Sequence, residues 1–197
     1  MIAYHIRRIR NVTSREKKAL VTGGSRGIGS AIAKRLAAEG ATVAITYAGN
    51  KAAADATVAA IEDAGGTAYA FQADAADPAS QRSGIEQAAG ALGGLDILVH
   101  NAGIVEFAVV SDDTDENFDR QFGVNVKGLH VGTRAALPHL ADGGRIILIG
   151  SIASQKGFPD KLRVQCNQGR RSGAGARLVK GPRSAEDLGQ HCATRVD

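Results

Sequence analysis

From Ala19 to about residue 160 the chain repeats one pattern: a short apolar run, a turn rich in Gly or Asp, then a longer amphipathic segment. Ala19–Thr22 reads as a first strand, Gly23–Gly27 as a turn, and Ile28–Glu39 as a helix with Ile28, Ile32 and Leu36 at i, i+4 and i+8 before Gly40 stops it. Thr42–Tyr47 follows as a strand, Ala52–Ala64 as a helix ended by Gly65-Gly66, and Thr67–Gln72 as a third strand. Pro78–Leu92 reads as a helix ended by Gly93-Gly94, and Asp96–His100 as a fourth strand. Thr114–Leu140 reads as one long helix with Phe118, Phe122, Val126 and Leu129 on one face, and Arg145–Gly150 as a fifth strand. Strands separated by helices need right-handed crossovers, so the expected sheet is parallel with helices on both faces.

This is the α/β class: a doubly wound parallel sheet of Rossmann type, a three-layer αβα sandwich. The pattern stops near Pro159, and Lys161–Asp197 carries five glycines among scattered charges with no apolar stripe of period 2 or 3.6. The expected organisation is a basic N-terminal extension over residues 1–18, a nucleotide-binding domain over 19–160, and an aperiodic, poorly folded tail over 161–197.

Composition narrows the function classes. The chain has 197 residues, 44% hydrophobic and 22% charged, with 25 glycines, which fits one globular domain and excludes a disordered chain. No run of about 18 apolar residues occurs, and residues 1–18 lack the apolar stretch of a secretory signal, so a soluble cytoplasmic protein with no membrane partner is expected. The net charge of +4 hides a division: each end is about +5, while residues 19–160 hold ten Lys/Arg against sixteen Asp/Glu. A nucleic-acid domain would carry a basic stripe on its periodic elements with aromatics between; here the folded part is acidic, so no nucleic-acid partner is expected. Cys166 and Cys192 have no metal-ligand spacing and receive no role.

Chemistry enters with Thr22-Gly23-Gly24-Ser25-Arg26-Gly27-Ile28-Gly29, placed between a strand and a helix. Glycines there let the backbone turn tightly and approach a pyrophosphate, whose charge rests on the helix N-terminus. The TGxxxGIG run resembles the cofactor loop of the short-chain dehydrogenase/reductase family, and more positions match in order over about residues 17–160. Asp74-Ala75, after the third strand, resembles the acidic position that contacts the adenine ring. Asn101-Ala102-Gly103 resembles the family's NNAG motif beside the cofactor, with His100 where its first Asn usually stands; His100 is read as structural. Asn125 resembles the helix Asn that holds a water of the proton relay, and Ser151, after the fifth strand, the Ser that hydrogen-bonds the substrate carbonyl. The resemblance implies a hydride-transfer enzyme acting on a small alcohol or ketone, in the manner of 3-oxoacyl reductases, within a family that is usually homo-oligomeric. The expected binding residues are Thr22, Gly23, Ser25, Arg26, Gly27, Ile28, Gly29, Asp74, Ala75, Asn101, Ala102 and Gly103, with Ser151 and Asn125 catalytic and no metal.

Charge decides between nicotinamide cofactors. An Asp or Glu at the end of the second strand would hold the ribose 2′-OH of NAD and repel a 2′-phosphate. Here that strand ends Thr46-Tyr47-Ala48-Gly49-Asn50-Lys51 without an acid, and Arg26 projects from the Gly-rich loop. A guanidinium pairs with a phosphate bidentately, so NADP is expected over NAD.

One component fails to appear. Carbonyl reduction in the resembled family takes its proton from a Tyr, whose ordinary pKa of about 10 is lowered by a Lys four residues on, and that Tyr should fall about thirteen residues after the Ser. Val164 stands there, and no Tyr follows Tyr69. If Val164–Gly169 is encoded GTA CAG TGC AAC CAA GGN, reading one base forward gives Tyr-Ser-Ala-Thr-Lys, the family's YxxxK motif. Permitted codons for Lys180–Arg195, shifted alike, give Arg-Asp-Leu-Gly-Pro-Arg-Lys-Ile-Ser-Val-Asn-Thr-Val-Gln-Pro-Gly, which resembles the family's sixth strand and its flanks. The expectation is a frameshift between about Phe158 and Val164, an out-of-frame tail, the family's C-terminal strands missing, and an enzyme inactive as written.

Overall fold

A computed structural model describes residues 14–108 and 112–151 and the backbone of 177–180. The elements run β1 (Lys18–Val21), α1 (Gly27–Ala38), β2 (Thr42–Tyr47), α2 (Lys51–Glu62), β3 (Thr67–Gln72), α3 (Pro78–Leu92), β4 (Leu95–His100), α4 (Asp115–Phe122), a π-helical turn (Gly123–Gly128), α5 (Leu129–Ala136), β5 (Leu140–Leu148) and β6 (Arg177–Lys180). The sheet order is β3-β2-β1-β4-β5-β6, and β1 to β5 are parallel. The α/β reading of the sequence therefore holds.

Alternation along the strands builds one core on each face of the sheet. In β1, Ala19 and Val21 join a cluster with Val43, Ile45 and Ala33, while Leu20 joins Ala44, Ile85, Leu98 and Ala135 on the opposite face. Local chemistry sets the helix ends. Asn50 caps α2 by accepting from Ala53 N–H, Asp77 caps α3 with Pro78 behind it, and Gly93 closes α3 at φ 68°.

The structure corrects the sequence reading in four places. The long helix ends at Ala136, because Pro138 lacks the N–H that would continue it; a 3₁₀ turn, Leu137–His139, leads straight into β5. That strand begins at Leu140 rather than Arg145, with a register break opposite Leu95 and Ile97. The apolar stripe of Phe118, Phe122, Val126 and Leu129 is not the buried face. Gln121, Val124, Asn125 and Gly128 point inward instead, since close approach to Ala75 requires Gly128, whose Cβ would stand 2.5 Å from Ala75 O. Finally, the tail contributes β6, antiparallel to β5, where no element was expected. A sheet edge offers unpaired N–H and C=O groups, and the short Arg-Leu-Val-Lys run meets them. The remaining tail residues, including Val164–Gly169, and the N-terminal residues 1–13 lie outside the described residues.

Candidate functional site

The strand order reverses between β1 and β4, and at that point the loops beyond the carboxyl ends of adjacent strands part to leave a crevice. A cavity of about 610 Å³ opens there. Its lining includes Gly23, Ser25, Arg26, Gly27, Ile28, Gly29, Asp74, Ala75, Asn101, Ala102 and Gly103, which is every binding position expected from the sequence except Thr22.

Thr22 lies beneath the cavity, 1% exposed, and holds two of its walls together. Its Oγ1 accepts from Asn101 N–H and Ala102 N–H at 3.1 Å each and donates to Val99 O at 3.4 Å. Asn101 answers by donating from Nδ2 to Thr22 O and Gly23 O, both at 3.1 Å. The loops after β1 and β4 are thus cross-linked by side chain and backbone. Gly29 is required by this closeness: a Cβ there would stand 2.3 Å from Gly23 O and 2.5 Å from Asn101 Nδ2. Gly23 is required by conformation as well, with φ 64° and Ala102 Cα 2.9 Å from where its Cβ would sit.

Ile28 stands in the sequence reading twice, in the apolar stripe of the helix and among the expected binding residues, and only the stripe assignment fails. The residue is 66% exposed at the cavity and belongs to the lining, while Ile32 and Leu36 alone of that stripe pack on the core. Its place in the first turn of α1 explains this, because that turn faces the crevice and not the sheet. The charged lining consists of Arg26 and Asp74. Arg26 is exposed and has no ion pair among the described residues, while Asp74 Oδ1 accepts from Ala76 N–H at 2.9 Å. The lining also contains Tyr47, Ala48, Gly49, Asn50, Ala73, Ile104 and Val124, which sequence reasoning did not assign. Tyr47–Asn50 carry a signal in the sequence, the lack of an acid at the end of β2; Ala73, Ile104 and Val124 carry none.

Asn125 and Ser151 do not line this cavity. Asn125 is fully buried, and both atoms of its amide hold Ile104: Ile104 N–H donates to Oδ1 at 3.0 Å and Nδ2 donates to Ile104 O at 2.8 Å. Gln121, one turn earlier and equally buried, grips Glu106 in the same way at 3.3 and 3.1 Å. Two amides on one helix face therefore pair with alternate residues of an extended strip, fixing the wall that Ile104 adds to the cavity. Ser151 lies half-buried three residues beyond β5, at the same carboxyl edge as Asn101 and one strand away. His100 is buried, with Nε2 3.0 Å from Thr133 Oγ1, as a structural histidine would be. Among the described residues no cluster of His, Cys, Asp or Glu could hold a metal, and no helix is long and apolar enough to cross a membrane.

The comparisons with known proteins agree with this geometry. The sequence profile of the short chain dehydrogenase family matches residues 17–162. An uncharacterized oxidoreductase of Methylorubrum extorquens is 48% identical over 143 residues, covering 73% of this chain and 58% of that protein. Elsinochrome reductase 1 of Elsinoe fawcettii is 48% identical over 144 residues, covering 73% and 54%. Among solved structures, a short chain dehydrogenase from Burkholderia cenocepacia in complex with NADP superposes with a TM-score of 0.77 at 46% identity, covering 80% of this chain and 64% of that one. A blue fluorescent protein from a metagenomic library, in complex with NADPH, gives 0.77 at 42%, covering 80% and 65%. The chain spans a little over half the length of these two curated relatives. With a parallel sheet reversing at β1, a Gly-rich loop locked to Asn101, and a profile match across most of its length, the chain belongs to the short chain dehydrogenase family.

Proposed function

We propose that this fold carries the site of an NADP-dependent oxidoreductase that transfers a hydride between the nicotinamide and a small alcohol, ketone or 3-oxoacyl substrate in the cytoplasm. The observation that carries this reading is the cavity at the β1/β4 crevice, with the Gly-rich loop on one wall and Asn101–Ile104 on the other. Its size suits an extended nucleotide, since ligand cavities run from roughly 300 to 1,000 Å³. The pyrophosphate belongs over the N–H groups that open α1, the adenine beside Asp74, and the 2′-phosphate against Arg26, which has no competing carboxylate among the described residues. A bound nicotinamide cofactor would supply the hydride that carbonyl reduction needs. Ser151 would donate a hydrogen bond to the carbonyl oxygen, and Asn125, expected to hold a water of the proton relay, would also fix the cavity wall through Ile104. Reduction also needs a proton on that oxygen, and no Tyr stands after Tyr69 to give it.

The reading we infer for the chain as written is therefore an NADP-binding remnant of that enzyme, with a single-base frameshift between about codons 158 and 164. Two stretches support it, because one shift yields YxxxK at the expected distance and also the Pro-Gly-terminated segment from Lys180–Arg195. The test has three parts. Sequencing the DNA over codons 155–170 should show the displaced base. The chain as written should bind NADPH more tightly than NADH, lose that preference in Arg26→Ala, and reduce no ketone; general acid catalysis is worth ~10²–10⁴-fold. The frame-restored chain should reduce a test ketone or 3-oxoacyl thioester, and exchange of its restored Tyr for Phe should abolish this. Ketone reduction by the unaltered chain at ordinary enzymatic rates would overturn the frameshift reading, and equal affinity for the two cofactors would overturn the role of Arg26.

A further inference from the structure

We propose that Thr57 is a positioning residue for cofactor selection: its hydroxyl ties the Gly-rich loop to α2 and so fixes where Arg26 stands. The inference rests on the proposed NADP site and adds a determinant outside the cavity.

Thr57 lies in the middle of α2, 3% exposed, and lines no part of the cavity. Its Oγ1 is 3.1 Å from Ser25 O, 3.1 Å from Ala53 O and 3.0 Å from Ser30 Oγ. The two carbonyls can only accept, so the single Thr57 proton goes to them and Ser30 donates to Thr57. Ala53 belongs to the same helix, one turn back. The bond to Ser25 therefore is the one that crosses from α2 to the loop, and among the described residues no other side-chain hydrogen bond reaches Ser25–Gly27.

Ser25 immediately precedes Arg26, the N-cap residue of α1, which is extended at φ −155° and makes no side-chain capping bond. Nothing in the described structure holds the guanidinium from its far end, since Arg26 takes part in no ion pair there. The backbone of the loop then sets where the Arg26 side chain starts and which space its guanidinium can reach, and Thr57 anchors that backbone next to it. Charge-assisted pairing with a phosphate depends on donor and acceptor meeting within a few tenths of an ångström, so slack at Ser25 weakens it. The pyrophosphate lies instead over the turn that begins α1, beside Gly23, whose carbonyl accepts from Asn101 Nδ2, and Thr57 meets that turn only at the Ser30 hydroxyl. Loss of the Thr57 hydroxyl should thus act on the 2′-phosphate and spare the rest of the dinucleotide.

The experiment is a titration of the chain with NADPH and with NADH, followed by cofactor fluorescence, for the unaltered protein, Thr57→Val, Arg26→Ala and the double variant. Thr57→Val keeps the shape and removes the hydroxyl. It should weaken NADPH binding roughly fivefold to tenfold and leave NADH within about twofold. In the Arg26→Ala background the same substitution should change neither cofactor, because the group it positions is gone. Should Thr57→Val fail to fold, Thr57→Ser and Thr57→Ala decide the matter: Ser keeps the unaltered ratio and Ala loses it. Equal weakening of both cofactors, or a loss undiminished without Arg26, would make Thr57 a packing residue and overturn the inference. An unaltered chain without preference for NADPH overturns the cofactor assignment itself. A preference that survives Thr57→Val, or Thr57→Ala where Val does not fold, overturns this inference alone.

Discussion

Replacing Asn125 by Leu tests whether its amide holds the cavity wall. The two side chains branch alike, but Leu is the bulkier, so the change removes the hydrogen bonds and also sets methyl groups against the Ile104 backbone. Asn125 is 0% exposed, and its Oδ1 and Nδ2 pair with Ile104 N–H at 3.0 Å and Ile104 O at 2.8 Å. Leu would leave both backbone groups without these partners. A buried group left unpaired costs ~1–3 kcal/mol, and Ile104 is half-buried, so water reaches it in part and the lower end applies. The expected loss is therefore at least about 2 kcal/mol, which lowers the melting temperature by at least roughly 4 °C for a chain of this size. Urea unfolding followed by far-UV circular dichroism should show the midpoint moving down with an unchanged slope, and NADPH affinity should fall as Ile104 loosens. Gln121→Leu should cost less, since its bonds to Glu106 are longer at 3.1 and 3.3 Å. A loss below about 0.5 kcal/mol for Asn125→Leu would refute the reasoning, because it would mean that Ile104 keeps its position without the amide.

Gly29→Ala should destabilise the fold by ~1–3 kcal/mol and lower NADPH affinity at least about tenfold by calorimetric titration, because its Cβ would stand 2.3 Å from Gly23 O and force the loop away from Asn101. Asp96 sits at the other end of the sheet. Burial alone would push its carboxyl up, but the Lys17 Nζ bond at 2.8 Å, the Lys18 N–H bond at 3.0 Å and the two nearby ammonium charges hold it below the ordinary value near 3.8. A depressed folded value stabilises the fold above that ordinary value, and the contribution is lost as pH falls through the folded value. Unfolding midpoints of the unaltered chain and Asp96→Asn should therefore converge below about pH 4, from a difference under ~1 kcal/mol at neutral pH.

The nucleotide half of the site was legible because it is local. A strand, a Gly-rich turn and a helix follow one another within a dozen residues from Ala19, and the glycines are required by contacts that their own spacing implies. The strands were legible for a similar reason: Thr42–Tyr47 and Thr67–Gln72 are apolar runs buried on both faces or at an edge, and their predicted limits match the structure. The segment from Thr114 to Leu140 was misread because periodicity locates apolar stripes and not buried ones. Its inward face carries Gln121, Asn125, Gly128 and Gly132, polar or small residues that look like a solvated side in sequence. They are buried because each meets something brought from far along the chain: Ile104 and Glu106 for the amides, Ala75 O for Gly128, and Gln81 with His100 for Gly132.

The same distinction separates what the sequence could say about Arg26 from what it could not say about Thr57. Arg26 is placed by motif, and its charge speaks for itself. Thr57 is one polar position in an alanine-rich helix, and only the fold brings its hydroxyl to Ser25, 32 residues earlier. Specificity in this site is then divided between a charge that the motif names and a tie that topology supplies. A substitution that leaves the Gly-rich motif untouched should still change which cofactor is preferred, and sequence comparison restricted to the loop would miss it.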